Sequence, residues 1–209
     1  MADHAAMLKR AGFVPVVTIE RVEYGVPLAQ ALVQGGLATI EITLRTPAAL
    51  DALKAILRAV PEANAGVGTV LTPDDLGRSQ RAGAKFAFSP GFTPELLTAA
   101  RGAAIPFFPG VATPAEAMQA RAQGFDVQKF FPAEQNGGIA ALKAFHGPLA
   151  DIVFCPTGGI TETNIRDYLA QPNVVATGSS FVAPVADMHA GNWDKIAERA
   201  RKLRRLIDG

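Results

Sequence analysis

The sequence predicts one α/β domain over residues 1–209: a closed parallel barrel of the eight-fold (β/α)8, or TIM, type with an extra N-terminal helix. Three observations lead there. Short β-branched or aromatic runs recur eight times, with starts about 20–26 residues apart, the length of one strand, one helix and two short loops. The stretches between them carry apolar residues at helical spacing, as in Leu50, Leu53, Ile56 and Leu57. The second run, Thr39–Leu44, alternates: Ile40, Ile42 and Leu44 share one face, and Thr39, Glu41, Thr43 and the following Arg45 share the other. A strand of an open, doubly wound sheet is normally apolar on both faces. A polar inner face fits a barrel strand nearing its C-terminal mouth, where such folds place their sites.

Each element follows in order. Ala2–Lys9 is a helix with room to close the barrel floor. The strands are Val14–Ile19, Thr39–Leu44, Ala65–Val70, Phe86–Ser89, Pro106–Val111, Val127–Phe131, Ile152–Cys155 and Val174–Thr177. Thr46-Pro47, Thr72-Pro73, Thr93-Pro94 and Thr113-Pro114 each follow a strand closely and read as helix starts. Threonine caps free N–H groups and proline suits the first helical position. Asp75 and Glu116 stand three residues after their threonines, where a capping box places an acid.

Composition excludes several classes. With 49% apolar and 19% charged residues the chain can build a sizeable core and is not disordered. A net charge of +1 gives no sign of nucleic-acid binding. One cysteine rules out a disulfide framework or a cysteine zinc cluster. His4, His146 and His189 lack metal-ligand spacing, so no metal is expected. No apolar run is long enough to cross a bilayer and the N-terminus has no signal-like segment, so a soluble, cytoplasmic protein is expected. The basic stretch Arg199–Arg205 is amphipathic through Ile196, Leu203 and Leu206 and reads as a solvated helix face.

The residues that can carry chemistry lie at strand ends. In Val127–Phe131, alternation puts Lys129 on the same face as Val127 and Phe131. Inside a barrel that amine is partly desolvated, which favours the neutral form needed to attack a ketone; otherwise its head snorkels to solvent. Glu41, on the inner face of its strand, can pair with Arg45 or Lys129, and either moves protons beside such an imine or forms a structural pair with Arg45. Arg45, nearer the mouth on that face, can grip a carboxylate through two N–H donors. Gly66-Val67-Gly68-Thr69 offers close backbone approach and a hydroxyl, or simply a turn. Thr157-Gly158-Gly159 and Gly178-Ser179-Ser180 follow the seventh and eighth strands, where barrels often bind phosphate on backbone N–H groups. Cys155 reads as a buried hydrophobe.

Taken together, these residues resemble the 2-keto-3-deoxy-6-phosphogluconate (KDPG) aldolase family, class I aldolases that often also cleave 4-hydroxy-2-oxoglutarate. The resemblance runs from the first strand to Val182. It rests on Ile40–Thr46, Gly66–Val70, Ser89-Pro90-Gly91, Lys129–Glu134 and Cys155–Ile160. It implies a Schiff-base lysine at Lys129 and a general acid/base at Glu41, with pyruvate held by Arg45, Thr69 and Thr157. It implies phosphate binding by Gly158, Gly159, Gly178 and Ser180, no metal or other cofactor, and a homotrimer. The expected partners are a small 2-keto acid and a phosphorylated aldehyde, with no nucleic acid or membrane. Two positions depart from the family pattern: Ser179 stands where glycine is expected and Phe181 where tryptophan is frequent. Ser179 adds a Cβ beside the phosphate loop and a candidate second hydroxyl donor. The alternative to an aldolase is a non-catalytic barrel that binds a phosphorylated metabolite, which would tolerate loss of Lys129 or Glu41.

Overall fold

The computed structural model describes residues 2–209. It is an α/β fold whose strands form a curled parallel sheet flanked by helices. The strands are β1 (Phe13–Val17), β2 (Thr39–Thr43), β3 (Asn64–Gly68), β4 (Ala87–Phe88), β5 (Phe107–Phe108), β6 (Gly110–Val111), β7 (Val127–Phe130), β8 (Val153–Pro156) and β9 (Thr177–Ser179). Six pair in the order β5-β4-β3-β2-β1-β9, and three in the order β6-β7-β8. Parallel bridges Phe154↔Val174 and Thr157↔Gly178 connect β8 to the segment of β9. The run Pro106–Val111 is divided at Pro109, which has no N–H to give to a ladder. The last strand lies later than Val174–Thr177, because Thr177, Gly178 and Ser179 pair with Phe13, Val14 and Pro15. That pairing overrides the weak strand preference of glycine and serine.

Helix starts follow the Thr-Pro signals with one exception. Thr72 and Thr113 make full capping boxes with Asp75 and Glu116, ahead of α4 (Pro73–Arg81) and α6 (Pro114–Ala122). Thr93 accepts from the Leu96 N–H ahead of α5 (Pro94–Arg101). Thr46 caps nothing: α3 (Ala49–Ala59) begins later, and the Thr46 hydroxyl instead donates to the Ile19 carbonyl beyond β1. Here a tertiary acceptor outcompetes the local cap.

Alternation places the apolar residues in two cores. Phe13, Ile40, Ile42, Val67 and Phe130 face outward and pack with helix residues such as Leu28, Leu32, Leu53 and Ile56. Val14, Phe86, Phe88, Phe108, Val127, Cys155 and Ala176 form a second cluster on the concave side. Leu8 of α1 (Ala2–Ala11), fully buried, joins that cluster, so the N-terminal helix seats on the sheet's N-terminal end. With that end filled, the remaining polar residues of the concave face gather at the strands' C-terminal ends.

Candidate active site

Strand β2 is buried along its whole length, though Thr39, Glu41 and Thr43 point to the concave side. Glu41 is 1% exposed and Lys129, on β7, is 4% exposed. Lys129 Nζ donates to Glu41 Oε1 at 3.0 Å. The Lys129 ammonium also lies 5.3 Å from the Phe88 ring centre and 5.2 Å from that of Phe131, within range of cation–π attraction. Glu41 therefore pairs with Lys129, and Arg45 has no carboxylate partner among the described residues. Glu41 Oε2 is buried with no hydrogen-bond partner. A native carboxylate oxygen left bare in the interior costs stability and marks a group held ready for an incoming donor.

Glycine makes this pair possible. A Cβ at Gly68, on the adjacent β3, would stand 1.8 Å from Glu41 Oε1. The Glu41 side chain thus occupies the space that any other residue at 68 would fill.

Phe131, next to Lys129, forms part of the wall of a cavity of about 370 Å³ lined also by Val16, Thr18, Arg45, Thr157, Gly158, Gly159, Ser179, Ser180, Ala183, Pro184 and Val185. Arg45 is exposed at its rim, and its Nε donates to Thr69 Oγ1 at 3.2 Å. Thr69 has φ +61°, a left-handed conformation that a β-branched residue adopts only under constraint; it turns the hydroxyl toward the guanidinium. Thr157 is buried, and its hydroxyl reaches only the Cys155 carbonyl, at 3.4 Å. Gly178 clears room for it, since a Cβ there would stand 2.5 Å from Thr157 Oγ1.

Gly158 and Gly159 have φ of +98° and +78°, which L side chains rarely adopt. A Cβ at Gly159 would also lie 2.3 Å from Glu134 Cγ, and Glu134 is held by the Tyr168 hydroxyl. Among the described residues, the N–H groups of Gly159 and Ser180 meet no protein acceptor. They face a cavity that can take an anion. Ser179 is not a second donor: its hydroxyl gives its proton to the Ile160 carbonyl at 2.7 Å. That bond ties β9 to the 158–160 loop. Phe181 packs on Phe13, with ring centres 5.5 Å apart.

The structure thus gathers Lys129, Glu41, Arg45, Thr69, Thr157, Gly158, Gly159, Gly178 and Ser180 at one end of the sheet. Sequence reasoning missed Thr18, although the signal was there: it follows Val14 and Val16 on the inward face as the polar residue at the strand end. Cys155 is buried opposite Lys129 in the β7–β8 register, and burial pushes its thiol up to about 12. It is an inert wall of the site. A cleft of about 400 Å³ at the sheet's other end, between α1, α5 and α6, contains no buried ionisable side chain. No group of three or more potential metal ligands occurs among the described residues.

Residues 5–199 match the family model described as KDPG and KHG aldolase. The KHG/KDPG aldolase of Escherichia coli K12 is 47% identical over 94% of this chain and 92% of its own length. The KDPG aldolase of Legionella pneumophila, solved with pyruvate captured as a covalent carbinolamine, superposes with a TM-score of 0.93 at 41% identity, covering 95% of this chain and 97% of the other. The Zymomonas mobilis ZM4 enzyme, solved with 3-phosphoglycerate, gives a TM-score of 0.90 at 41% identity, covering 97% and 95%.

Proposed function

The chain belongs to the KDPG and KHG aldolase family, and from that premise we propose that it is a class I aldolase acting through an imine on Lys129. It cleaves 2-keto-3-deoxy-6-phosphogluconate to pyruvate and glyceraldehyde 3-phosphate, and 4-hydroxy-2-oxoglutarate to pyruvate and glyoxylate. One observation carries the residue assignment: an amine and a carboxylate, 4% and 1% exposed, meet at 3.0 Å beside the Phe131 wall of a polar cavity. Burying such a pair costs more than an apolar pair of the same size, and a barrel that only bound its ligand would have no use for it.

The lysine nitrogen attacks the C2 ketone, and Glu41 carries protons as the carbinolamine loses water. The resulting cationic imine draws electrons from the C3–C4 bond. The Glu41 carboxylate takes the C4 hydroxyl proton, the O–H electrons form the aldehyde C=O, and the C3–C4 pair moves to the imine, releasing the aldehyde and leaving an enamine. Glu41 returns a proton to C3, and water hydrolyses the imine to free pyruvate. One carboxylate acts twice because each proton that it takes up is given back in a later step, and its second oxygen, Oε2, has no protein partner to compete. Arg45, steadied by Thr69, binds the substrate carboxylate together with Thr157. Gly158, Gly159, Gly178 and Ser180 form the phosphate end.

The same reading extends to the architecture. The curled sheet is a closed (β/α)8 barrel forming one domain over 1–209, with the Pro109-divided run as one of eight strands. The β8–β9 bridges and the inward cluster drawn from both sheets support this. The homotrimer and the cytoplasmic location rest on the family resemblance; no described helix is long and apolar enough to cross a membrane. The deciding test is borohydride reduction with pyruvate followed by peptide mass spectrometry. A pyruvyl adduct on Lys129 is expected, and its absence overturns the proposal.

A further inference from the structure

Thr18 stands one residue past β1 and lines the cavity. Its Oγ1 lies 2.9 Å from Thr43 Oγ1. Thr43 is fully buried, and its hydroxyl also donates to the Val17 carbonyl at 3.2 Å. A carbonyl only accepts, and a hydroxyl has one proton. With Thr43's proton on Val17, the bond between the threonines requires Thr18 to donate. The proton of Thr18 is then spent on Thr43, and both lone pairs of its oxygen are left free on a side chain that lines the cavity. The side chain offers the ligand an acceptor and no donor.

Its place selects the substrate group that it meets. In the sheet, β1 lies between β2, which leads to Arg45, and β9, which leads to Ser180. Thr18 therefore sits between the carboxylate end and the phosphate end of the site. Neither anionic end has a proton to give it. The substrate groups between them that can donate are the C4 and C5 hydroxyls. The C4 hydroxyl must stay with the reacting carbon over Lys129 and Glu41, so the C5 hydroxyl is left for Thr18. Resting on the aldolase reading above, we propose that Thr18 is a specificity-determining residue that accepts a hydrogen bond from the C5 hydroxyl, one carbon beyond the bond being broken. This is the 2-hydroxyl of the aldehyde product.

The test runs the reaction in the condensing direction. Pyruvate is joined to glyceraldehyde 3-phosphate or to 3-phosphooxypropanal, which is the same aldehyde without the 2-hydroxyl, and kcat/KM is compared. One neutral hydrogen bond corresponds to about 2- to 12-fold. Thr18→Val keeps the branched shape and leaves Thr43 its bond to Val17, so the preference for the hydroxylated aldehyde should fall by that factor. Thr18→Ser should restore it. An unchanged preference in Thr18→Val, or an equal loss on both aldehydes, overturns the inference while leaving the aldolase intact. Failure of the unaltered protein to condense either aldehyde, with no pyruvyl adduct, overturns the aldolase reading and this inference with it.

Discussion

Gly68→Ala is the most incisive perturbation of the site, because it displaces the acid/base while altering no group that carries chemistry. The backbone at Gly68 is not left-handed, so alanine suits the chain itself. The added methyl would nevertheless lie 1.8 Å from Glu41 Oε1, 2.5 Å from its Cδ and 2.7 Å from its Cγ. Ordinary contact begins near 3.4 Å, so Oε1 has to retreat by about 1.6 Å (3.4 − 1.8) and the carboxyl carbon by about 0.9 Å (3.4 − 2.5). Glu41 is 1% exposed and has little room to do so without lengthening the 3.0 Å bond to Lys129. A misplacement of about 1 Å costs on the order of 10²-fold in rate, or about 2.7 kcal/mol of barrier. Complete loss of a general acid/base costs about 10²–10⁴-fold. The kcat of Gly68→Ala should therefore approach that of Glu41→Gln.

Two assays separate position from chemistry. Exchange of the pyruvate methyl protons with solvent deuterium needs the base, and should slow in Gly68→Ala as in Glu41→Gln. Because both changes disable one function, the double variant should be little worse than either single one. Losses that multiply, or an alanine variant with undiminished exchange, would show that Glu41 does not act from the position seen here.

Other expectations follow from the same geometry. Lys129→Ala should abolish cleavage and the borohydride adduct, and a trapped peptide carrying the exposed Lys85 or Lys143 instead would refute the assignment. Arg45→Ala should impair every 2-keto acid substrate by about 10–150-fold, the value of a charge-assisted hydrogen bond. Ser180→Ala, which leaves the Ser179 bond to Ile160 in place, should impair only the phosphorylated one, by about 2- to 12-fold, and equal losses on 4-hydroxy-2-oxoglutarate would remove phosphate from the end of β9. Cys155 is pushed from 9.0 up to about 12 by burial. Its protonated form favours the fold below about pH 9, and stability should fall as pH rises from about 9 toward 12, by about 1.4 kcal/mol per pH unit over the middle of that range. Urea midpoints at pH 8 and pH 10.5 should differ less in Cys155→Ala, and an equal difference would exclude Cys155 as a source.

What was legible in the sequence is what depends on short-range periodicity. Alternation in β2 and β7 put Glu41 and Lys129 on inward faces because period two is a local property of the strand. Thr72, Thr93 and Thr113 were legible as caps because acceptor and donor lie three residues apart. Where the partner is remote, the reading fails. Thr46 looks identical in sequence to the other three, and only the return of the chain past Ile19 gives its hydroxyl a better acceptor. The Glu41–Lys129 pair spans 88 residues, so sequence allowed Arg45 as an equal partner. Ser179 looked like a spare phosphate donor until the Ile160 carbonyl was found to hold its proton.

The glycines of the site show why composition alone misjudges them. Read along the chain, a glycine beside a strand end suggests bare N–H groups for an anion, and Gly159 fits that description. Gly68 and Gly178 have a different duty. Each sits on a strand next to one that carries a polar side chain, and each leaves the volume that side chain occupies: Glu41 over Gly68, Thr157 over Gly178. A concave parallel sheet crowds its inward side chains, and at Glu41 and Thr157 the room comes from a neighbouring strand that offers no Cβ. The strand propensity lost at a glycine, roughly 0.5–1 kcal/mol relative to alanine, is small beside the barrier of about 2.7 kcal/mol that a 10²-fold misplacement adds. Alanine at Gly68 or Gly178 should therefore cost the site more in rate than it returns in strand propensity.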